Sequence, residues 1–217
     1  MSDMEVFREV DEDYRRERMI AFWRRYGAML VFAMALVMAG VAAFNYYMAR
    51  VHARQAAQTT EFEALLSGIG PGTEAMSADA LAAYAAKARP AQATLALFAE
   101  AALRQQSGNL LGASQIYHQI ADGFAADPLL RDLAVVRLGY LALDEANPEP
   151  IIPRLQEIAA KTSPWRYGAR EAIALLTAKS GQKEAAAKML TDLAGDPGAP
   201  PDLAGRARAL AELYSGK

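Results

Sequence analysis

Apolar residues run from position 27 to position 49 without a single charge, in the order GAMLVFAMALVMAGVAAFNYYMA. A helix of this length spans roughly 34 Å, enough to cross a hydrocarbon core of about 30 Å. Its large apolar side chains together favour membrane insertion by roughly 2–4 kcal/mol. Trp23 and Tyr26 at one end, and Tyr46 and Tyr47 at the other, suit the two headgroup zones. The pattern predicts a transmembrane helix over residues 27–49.

Two other interpretations fit a long apolar run. The tripeptide Val41-Ala42-Ala43 weakly resembles a signal-peptide cleavage site, but a signal peptide has an apolar core of only about 7–15 residues and a short basic start. A buried helix of a soluble protein is the other alternative, and such helices seldom lack every charge over this length. A membrane anchor therefore explains the segment best.

Arginine placement predicts the orientation of the anchor. Six arginines precede the apolar run, and Arg50 and Arg54 follow it, with no further basic residue before Lys87. Positively charged flanks stay on the cytoplasmic side, so residues 1–26 form a cytoplasmic tail and the remainder lies outside. In a bacterium with two membranes, this places the anchor in the inner membrane and the C-terminal part in the periplasm. The tail is most simply a topology determinant, although its Arg-rich part also suits anionic headgroups or a docking partner.

Beyond the anchor, residues 50–67 continue as a helix with one apolar face, and the glycine-rich stretch 68–72 interrupts it. We therefore predict a helix and a flexible elbow over residues 50–76, followed by a helical domain over residues 77–217 whose first helix is capped by Ser77. Prolines divide this domain into helices of ordinary length. Two of them, in Asp127-Pro128 and Ser163-Pro164, follow a capping residue and should lie in a first helical turn.

The predicted domain contains an internal repeat. A shift of 73 positions aligns small and large apolar residues with residues of the same kind, and it aligns Ser107-Gly108 with Ser180-Gly181. The matched pairs are Ala99 with Ala172, Ala101 with Ala174, Leu103 with Leu176, Ala113 with Ala186, Ile120 with Leu193 and Ala121 with Ala194. Small residues let paired helices approach closely, and the glycine allows a sharp turn between them. Two tetratricopeptide repeats would give a shift of roughly 68.

A weaker unit lies between these two. Leu138-Gly139 occupies the position of a Leu-Gly pair, Leu155 should anchor the following helix, and residues 128–145 carry an apolar stripe with helical spacing. We predict three degenerate repeats over residues 91–196 and a capping helix over residues 202–214. The fold class is all-α: a single transmembrane helix followed by a tetratricopeptide-repeat-like solenoid.

Composition limits the chemistry of the chain. There is no cysteine, the two histidines are far apart, and the formal net charge is −2. These features argue against a metal site, a bound cofactor and a nucleic-acid surface. The carboxylates fall mostly where helices begin or end, where they stabilise helices, and no catalytic pair is indicated. We expect no enzymatic activity and no small-molecule substrate.

The apolar stripe of the middle repeat suggests a partner-binding site. Val136, Tyr140 and Leu143 should lie on the concave wall of the solenoid, with Phe98 equivalent in the preceding unit. If exposed, these side chains would form a trough for unfolded or helical segments; if another helix covers them, they are ordinary core residues. Trp165 is either a further surface anchor or packs against the next helix.

Several segments resemble the YfgM-type ancillary subunits of the Sec translocon, in their alphaproteobacterial form. The segments are Val6-Phe7, Glu9-Val10-Asp11-Glu12-Asp13, Arg15-Arg16-Glu17-Arg18, Trp23-Arg24-Arg25-Tyr26-Gly27, Leu130-Arg131-Asp132-Leu133-Ala134 and Pro164-Trp165-Arg166. The resemblance covers most of the chain but includes no catalytic signature. It implies a membrane-tethered periplasmic repeat domain whose partners are translocon components, periplasmic chaperones or exported chains. The alternative is a tethered scaffold for assembly of an envelope or respiratory complex.

Overall fold

The structure, a computed structural model, describes residues 3–123, 125–144 and 149–216. The chain divides into two compact units, Met1–Ala57 and Gln58–Lys217. Across the described ranges the regular structure is helical and no β-strand occurs. The all-α prediction is therefore confirmed.

The first unit consists of the long helix α1 (Asp3–Ser67) up to Ala57. By length and composition, α1 is the one helix in the described part of the chain that could cross a membrane. The large apolar side chains from Phe22 to Tyr47 are 41–71% exposed. This exposure argues against the alternative of a buried core helix, since a core helix has its apolar side chains covered.

The second unit contains the last turns of α1 and eight further α-helices among the residues described. They are α2 (Glu74–Ala85), α3 (Pro90–Gln106), α4 (Leu110–Asp122), α5 (Pro128–Leu141), α6 (Ile152–Ala160), α7 (Arg166–Lys179), α8 (Lys183–Ala194) and α9 (Pro201–Tyr214). A short 3-10 helix (Glu149–Ile151) leads into α6. From α2 to α9, each helix packs on the next one in the chain, which is the packing order of a helical solenoid.

Three helical hairpins, α3/α4, α5/α6 and α7/α8, form the predicted three repeats. The turns of the first and third hairpins contain Gly108 and Gly181, whose φ angles are +82° and +90°. Glycine adopts this left-handed conformation without the steric cost that a Cβ atom brings. In both turns the following residue donates its N–H to the carbonyl oxygen five positions back. The Ser-Gly pairs aligned by the 73-residue shift are thus equivalent turns.

The small residues of the repeat lie where paired helices approach each other. Ala101, Ala113, Ala174 and Ala186 are fully buried. Because an alanine side chain is a single methyl group, the helix backbones can pack closely at these positions. The repeat pattern in the sequence therefore marks the contacts between helices.

The middle hairpin contains a close approach between helices. A Cβ atom built on Gly139 of α5 would lie 2.9 Å from Leu155 Cδ1 and 3.2 Å from Ala172 Cβ. Leu155 is fully buried in α6, as predicted. The helix predicted over 128–145 ends earlier, at Leu141. Beyond it, the Lys179 ammonium donates to the carbonyl oxygens of Ala142 and Leu143, at 3.0 and 2.6 Å.

Of the three helix starts predicted from capping residues, one is confirmed. The Asp127 carboxylate accepts the N–H of Leu129 at 2.8 Å, and Pro128 follows in the first turn. Ser163 was expected to cap α7, but α7 begins at Arg166 and the Ser163 hydroxyl donates to Asp132 at 3.1 Å. The same hydroxyl accepts the N–H of Trp165 at 3.3 Å, so Ser163 stabilises the turn that leads into α7 and also links this turn to α5.

Ser77, the third predicted cap, lies inside α2, which begins at Glu74. The Glu74 carboxylate accepts the N–H of Gly72 at 3.1 Å. An acidic side chain in the first turn interacts favourably with the helix dipole. The acidic residue, and not the serine, therefore marks the start of this helix.

The glycine-rich stretch 68–72 lies within the second unit and not between an anchor and a domain. The end of α1 packs on α2: Phe62 stacks on Tyr84 with ring centroids 5.6 Å apart, and the Tyr84 hydroxyl donates to the Gln58 carbonyl oxygen at 2.9 Å. Ile69 packs into the same cluster. The compact unit thus begins at Gln58, ahead of the domain start predicted at residue 77.

Helix α9 closes the solenoid. Ala207 and Ala211 are buried in a cluster with Leu190 and Leu193 of α8, while Arg208 and Glu212 are exposed. A capping helix needs one apolar and one polar face, because no further repeat covers its outer side. The predicted capping helix over 202–214 is present as α9.

Candidate partner-binding groove

The first helix of each hairpin, together with α9, lines one side of the solenoid, where two adjoining depressions form a groove. The α3–α5 half has a volume of about 590 Å³, and the α5–α9 half a volume of about 620 Å³. Leu133 and Arg137 of α5 line both halves. We call the two depressions together the groove.

The α3–α5 half is mainly apolar. Phe98 and Tyr117 form one wall, with ring centroids 5.9 Å apart. Leu95, which is 46% exposed, forms the rim. The remaining lining residues are Ala102, Gln105, Gln106, Leu130, Leu133 and Arg137. This half offers aromatic and aliphatic surface for the apolar side chains of a partner.

The α5–α9 half combines apolar walls with a buried carboxylate. Val136 is 4% exposed and lies at its floor. Apolar residues from three helices and the connecting turns surround it: Leu133, Tyr140, Pro164, Trp165, Tyr167, Leu175, Pro200, Leu203 and Leu210. Gly168 lies between them; a Cβ there would meet Val136 Cγ1 at 3.3 Å. The charged residues of this half are Arg137, Glu171 and Arg206.

Glu171 is the most buried charged group of the groove, with 1% exposure. Arg206 of α9 binds it with two hydrogen bonds, Nε to Oε1 at 2.5 Å and Nη2 to Oε2 at 2.6 Å. The Tyr140 hydroxyl of α5 donates to Oε2 at 2.6 Å. A two-pronged guanidinium–carboxylate pair is the strongest ordinary form of ion pair. Through Glu171, the network joins α5, α7 and α9.

This network changes the acidity of its members. Burial raises the pKa of Tyr140 far above its usual range, and the hydrogen bond to Glu171 raises it further. The hydrogen bond to the same carboxylate raises the pKa of Arg206. Both shifts preserve the forms seen in the structure, a neutral phenol and a positively charged guanidinium.

Arg137 is exposed at the junction of the two halves. Its side chain makes no ion pair with any residue that the structure describes. Burial raises the pKa of the neighbouring Tyr117, and the positive charge of Arg137 opposes this rise. Within the described ranges, the guanidinium of Arg137 is therefore a positive charge without a compensating carboxylate.

The structure brings together four of the five residues predicted to bind a partner. Val136, Tyr140 and Trp165 line the α5–α9 half, and Phe98 lines the α3–α5 half. Leu143 lines neither half, because α5 ends at Leu141 and Leu143 packs against the core from the turn that follows. A role of these residues in partner binding stays a prediction.

Trp165 combines the two roles considered for it. Its indole Nε1–H donates to the Leu129 carbonyl oxygen at 2.8 Å, and its ring packs against the main core cluster. It also lines the groove. The hydrogen bond fixes the start of α7 against the start of α5, so the exposed part of the ring has a defined position.

The sequence pattern alone did not identify the charged residues of the groove. Arg137 lies four residues after Leu133 and three before Tyr140, so all three share a helix face. Leu203, Arg206 and Leu210 of α9 are likewise separated by three and four residues and share a face. A search for apolar residues passes over the two arginines, although their spacing from the leucines indicates a common face.

Three carboxylates outside the groove have structural partners. Asp122 pairs with Arg154 at 2.9 Å, Asp127 caps α5, and Asp132 accepts from Ser163. Among the described residues, no group of three or more potential metal ligands occurs. Glu145, the last residue of the helix predicted over 128–145, lies outside the described residues.

A family model described as a tetratricopeptide repeat-like domain matches residues 21–167. The match begins six residues ahead of the apolar segment 27–49 of α1 and ends in the first turn of α7. Comparison with curated proteins and with solved structures finds no match. Helical repeats of this kind are generally scaffolds that mediate contacts between proteins. Because the model covers well over half of the chain and the hairpins follow the repeat, this protein belongs to the tetratricopeptide repeat-like domain family.

Proposed function

We propose that this protein is a membrane-tethered interaction module that binds other polypeptides in its groove on the outer face of the inner membrane. The observation that carries the proposal is the groove itself: an open surface with apolar and aromatic walls and two arginines, built by α3, α5, α7 and α9. Surfaces that recognise peptide segments combine apolar walls with a few positioned polar groups.

A tether at the N-terminus supports this role. The apolar part of α1 is exposed along its length, and the family match includes it. In this proposal residues 27–49 cross the membrane, the arginine-rich residues 1–26 stay in the cytoplasm, and the repeat domain faces the periplasm. Attachment to a membrane makes a weak contact effective, because it raises the local concentration of the module near its partners.

The resemblance of the sequence to ancillary subunits of the Sec translocon suggests that the tethered domain acts beside the translocon. A groove at the periplasmic exit of the translocon would meet exported chains while they are unfolded and their apolar side chains are still exposed. The proposed partners are these chains, the translocon itself and periplasmic chaperones. No chemical step is required for such a role, and the carboxylates singled out above already have structural partners.

Site-specific photo-crosslinking in cells tests the proposal. A photoreactive amino acid at Leu95, on the rim of the groove, should capture translocon subunits or exported chains, identified by mass spectrometry. The same group at Lys188, exposed on α8 and outside the groove, should capture few of them. Leu95 is a better position than Tyr140, whose hydroxyl is bonded to Glu171. Capture of only envelope or respiratory assembly proteins at Leu95 would favour the tethered scaffold instead.

A further inference from the structure

We propose that the groove selects apolar segments that carry an acidic side chain in their interior, and that this carboxylate pairs with Arg137. This inference deepens the proposed function and rests on it, because it specifies the chemistry of the polypeptide that the groove binds.

The charge balance of the groove supports an acidic ligand. Its charged lining residues are Arg137, Glu171 and Arg206. Arg206 directs two N–H groups to Glu171, so these two charges compensate each other. Arg137 has no carboxylate partner among the described residues. The groove thus carries one uncompensated positive charge, whereas the whole chain has a formal net charge of −2.

Loss of water from Arg137 on binding would make the groove selective for acidic segments. A segment lying along the apolar walls would displace water from Arg137. Burying a charge without a partner is costly, and a carboxylate in hydrogen-bonding reach offsets the cost. A segment with only apolar residues would leave the guanidinium unpaired, and a basic residue at that position would add repulsion. Acidic segments should therefore bind most tightly.

The position of Arg137 indicates an internal side chain and not a chain terminus. Arg137 and Leu133 line both halves of the groove. A ligand carboxylate at Arg137 therefore has apolar surface on both sides, towards Phe98 in one direction and towards Trp165 in the other. A C-terminal carboxylate at the same place would leave one half of the groove empty.

Binding of designed peptides to the full-length protein in nanodiscs tests this inference. Three fluorescently labelled peptides share apolar flanks and carry Glu, Gln or Lys at the central position; a fourth ends in a free carboxylate after one flank. The Glu peptide should bind about tenfold more tightly than the Gln peptide, the amount expected for one charge-assisted hydrogen bond. The Lys peptide should bind most weakly. Protein-free nanodiscs correct for partition of the peptides into lipid.

Variants of the protein identify the responsible charge. Arg137→Gln should remove the preference for Glu over Gln, and Arg137→Glu should reverse it in favour of the Lys peptide. Arg208→Gln, which changes an exposed arginine outside the groove, should keep the original preference. Circular dichroism and thermal melting confirm that the variants fold, which we expect because Arg137 is exposed.

The outcomes separate this inference from the function on which it rests. Equal binding of the three internal peptides to the unmodified protein would overturn the acidic selectivity and leave the groove as a general peptide site. Equally tight binding of the terminal-carboxylate peptide would overturn the internal placement. Absence of binding by all four peptides would overturn the peptide-binding function together with the selectivity.

Discussion

The Tyr140 hydroxyl of α5 donates a 2.6 Å hydrogen bond to the Glu171 carboxylate of α7, which Arg206 of α9 also binds. The three residues belong to three successive elements along the groove. Their contacts fix the spacing of the helices that form its wall. A polar network with every member paired defines one arrangement of its helices, whereas apolar contacts tolerate small shifts.

Loss of Arg206 should destabilise the second unit. Arg206→Ala leaves Glu171, which is 1% exposed, without its charged partner. Breaking a fully buried pair costs about 3–5 kcal/mol. Since the Arg206 side chain is 56% exposed, we expect a smaller loss of about 2–3 kcal/mol. Chemical denaturation followed by circular dichroism measures it.

The control for this variant is Arg208→Ala, which changes an exposed arginine on the same helix and should alter stability by less than about 0.5 kcal/mol. Adding Glu171→Gln to Arg206→Ala should recover part of the loss, because it removes the unpaired charge. If the two arginine variants are equally stable, the network does not hold α9 in place.

Tyr140 should make stability depend on alkaline pH. The folded protein raises the pKa of Tyr140 above its ordinary value of about 10, mainly by burial and then by the bond to Glu171. Below pH 10 the phenol is neutral in both states and its contribution is complete. Above pH 10 the unfolded chain releases this proton first, so stability falls as the pH rises towards the raised folded value.

The measurement is the free energy of unfolding between pH 8 and 11, compared for the unmodified protein and Tyr140→Phe. The variant should be less stable at pH 8 by about 1–2 kcal/mol, and its stability should decrease less steeply above pH 10. Tyr214→Phe, at the end of α9 and outside the network, serves as the control. A parallel decrease in the unmodified protein and Tyr140→Phe would exclude the phenol as a source of the effect.

Gly139 should tolerate a methyl group poorly. In Gly139→Ala the new Cβ would lie 2.9 Å from the side chain of Leu155, which is fully buried and cannot move easily. Overpacking of this kind costs about 1–3 kcal/mol. Gly205→Ala in α9 meets no atom within 4 Å and should gain up to about 1 kcal/mol from helix propensity. The melting temperatures of the two variants measure this difference. A Gly139→Ala protein as stable as Gly205→Ala would contradict the close packing at Gly139.

The sequence predicted the repeats well because they depend on local requirements. Gly108 and Gly181 permit positive φ angles, and Ala113 and Ala186 permit close helix contacts. These requirements produce a periodic pattern in the sequence that does not depend on the rest of the fold. The 73-residue shift therefore identified two of the three hairpins residue by residue.

The groove was predictable only in part. The apolar stripe through Val136 and Tyr140 indicated its floor. The ion pair of Glu171 with Arg206 joins α7 to α9, and no sequence pattern shows that these two residues pair. The packing of the end of α1 on Tyr84 is likewise a tertiary contact. For this reason the domain begins at Gln58, ahead of the glycine-rich stretch that the sequence alone suggested as a boundary.

The predicted anchor has a small energetic margin. Leu36→Arg places a charge near the centre of the apolar run, at a cost of about 2.5–3.5 kcal/mol. This cost is comparable to the entire gain of roughly 2–4 kcal/mol from the large apolar residues of the segment. Membrane integration should therefore fall sharply in an insertion assay. Leu213→Arg, at an exposed leucine of α9, is the matched control and should integrate normally. Undiminished integration of Leu36→Arg would show that residues 27–49 do not form the span.

The orientation of the anchor is open to a direct chemical test, because the chain has no cysteine. Six arginines precede the apolar run and two follow it closely, so the N-terminus should stay in the cytoplasm. In spheroplasts, Ser215→Cys, exposed after α9, should react with a membrane-impermeant maleimide, and Ser2→Cys should react only after the membrane is permeabilised. Retention of both variants in the membrane fraction at full length also excludes cleavage as a signal peptide. Labelling of Ser2→Cys alone in intact spheroplasts would place the groove in the cytoplasm, where it could not meet exported chains.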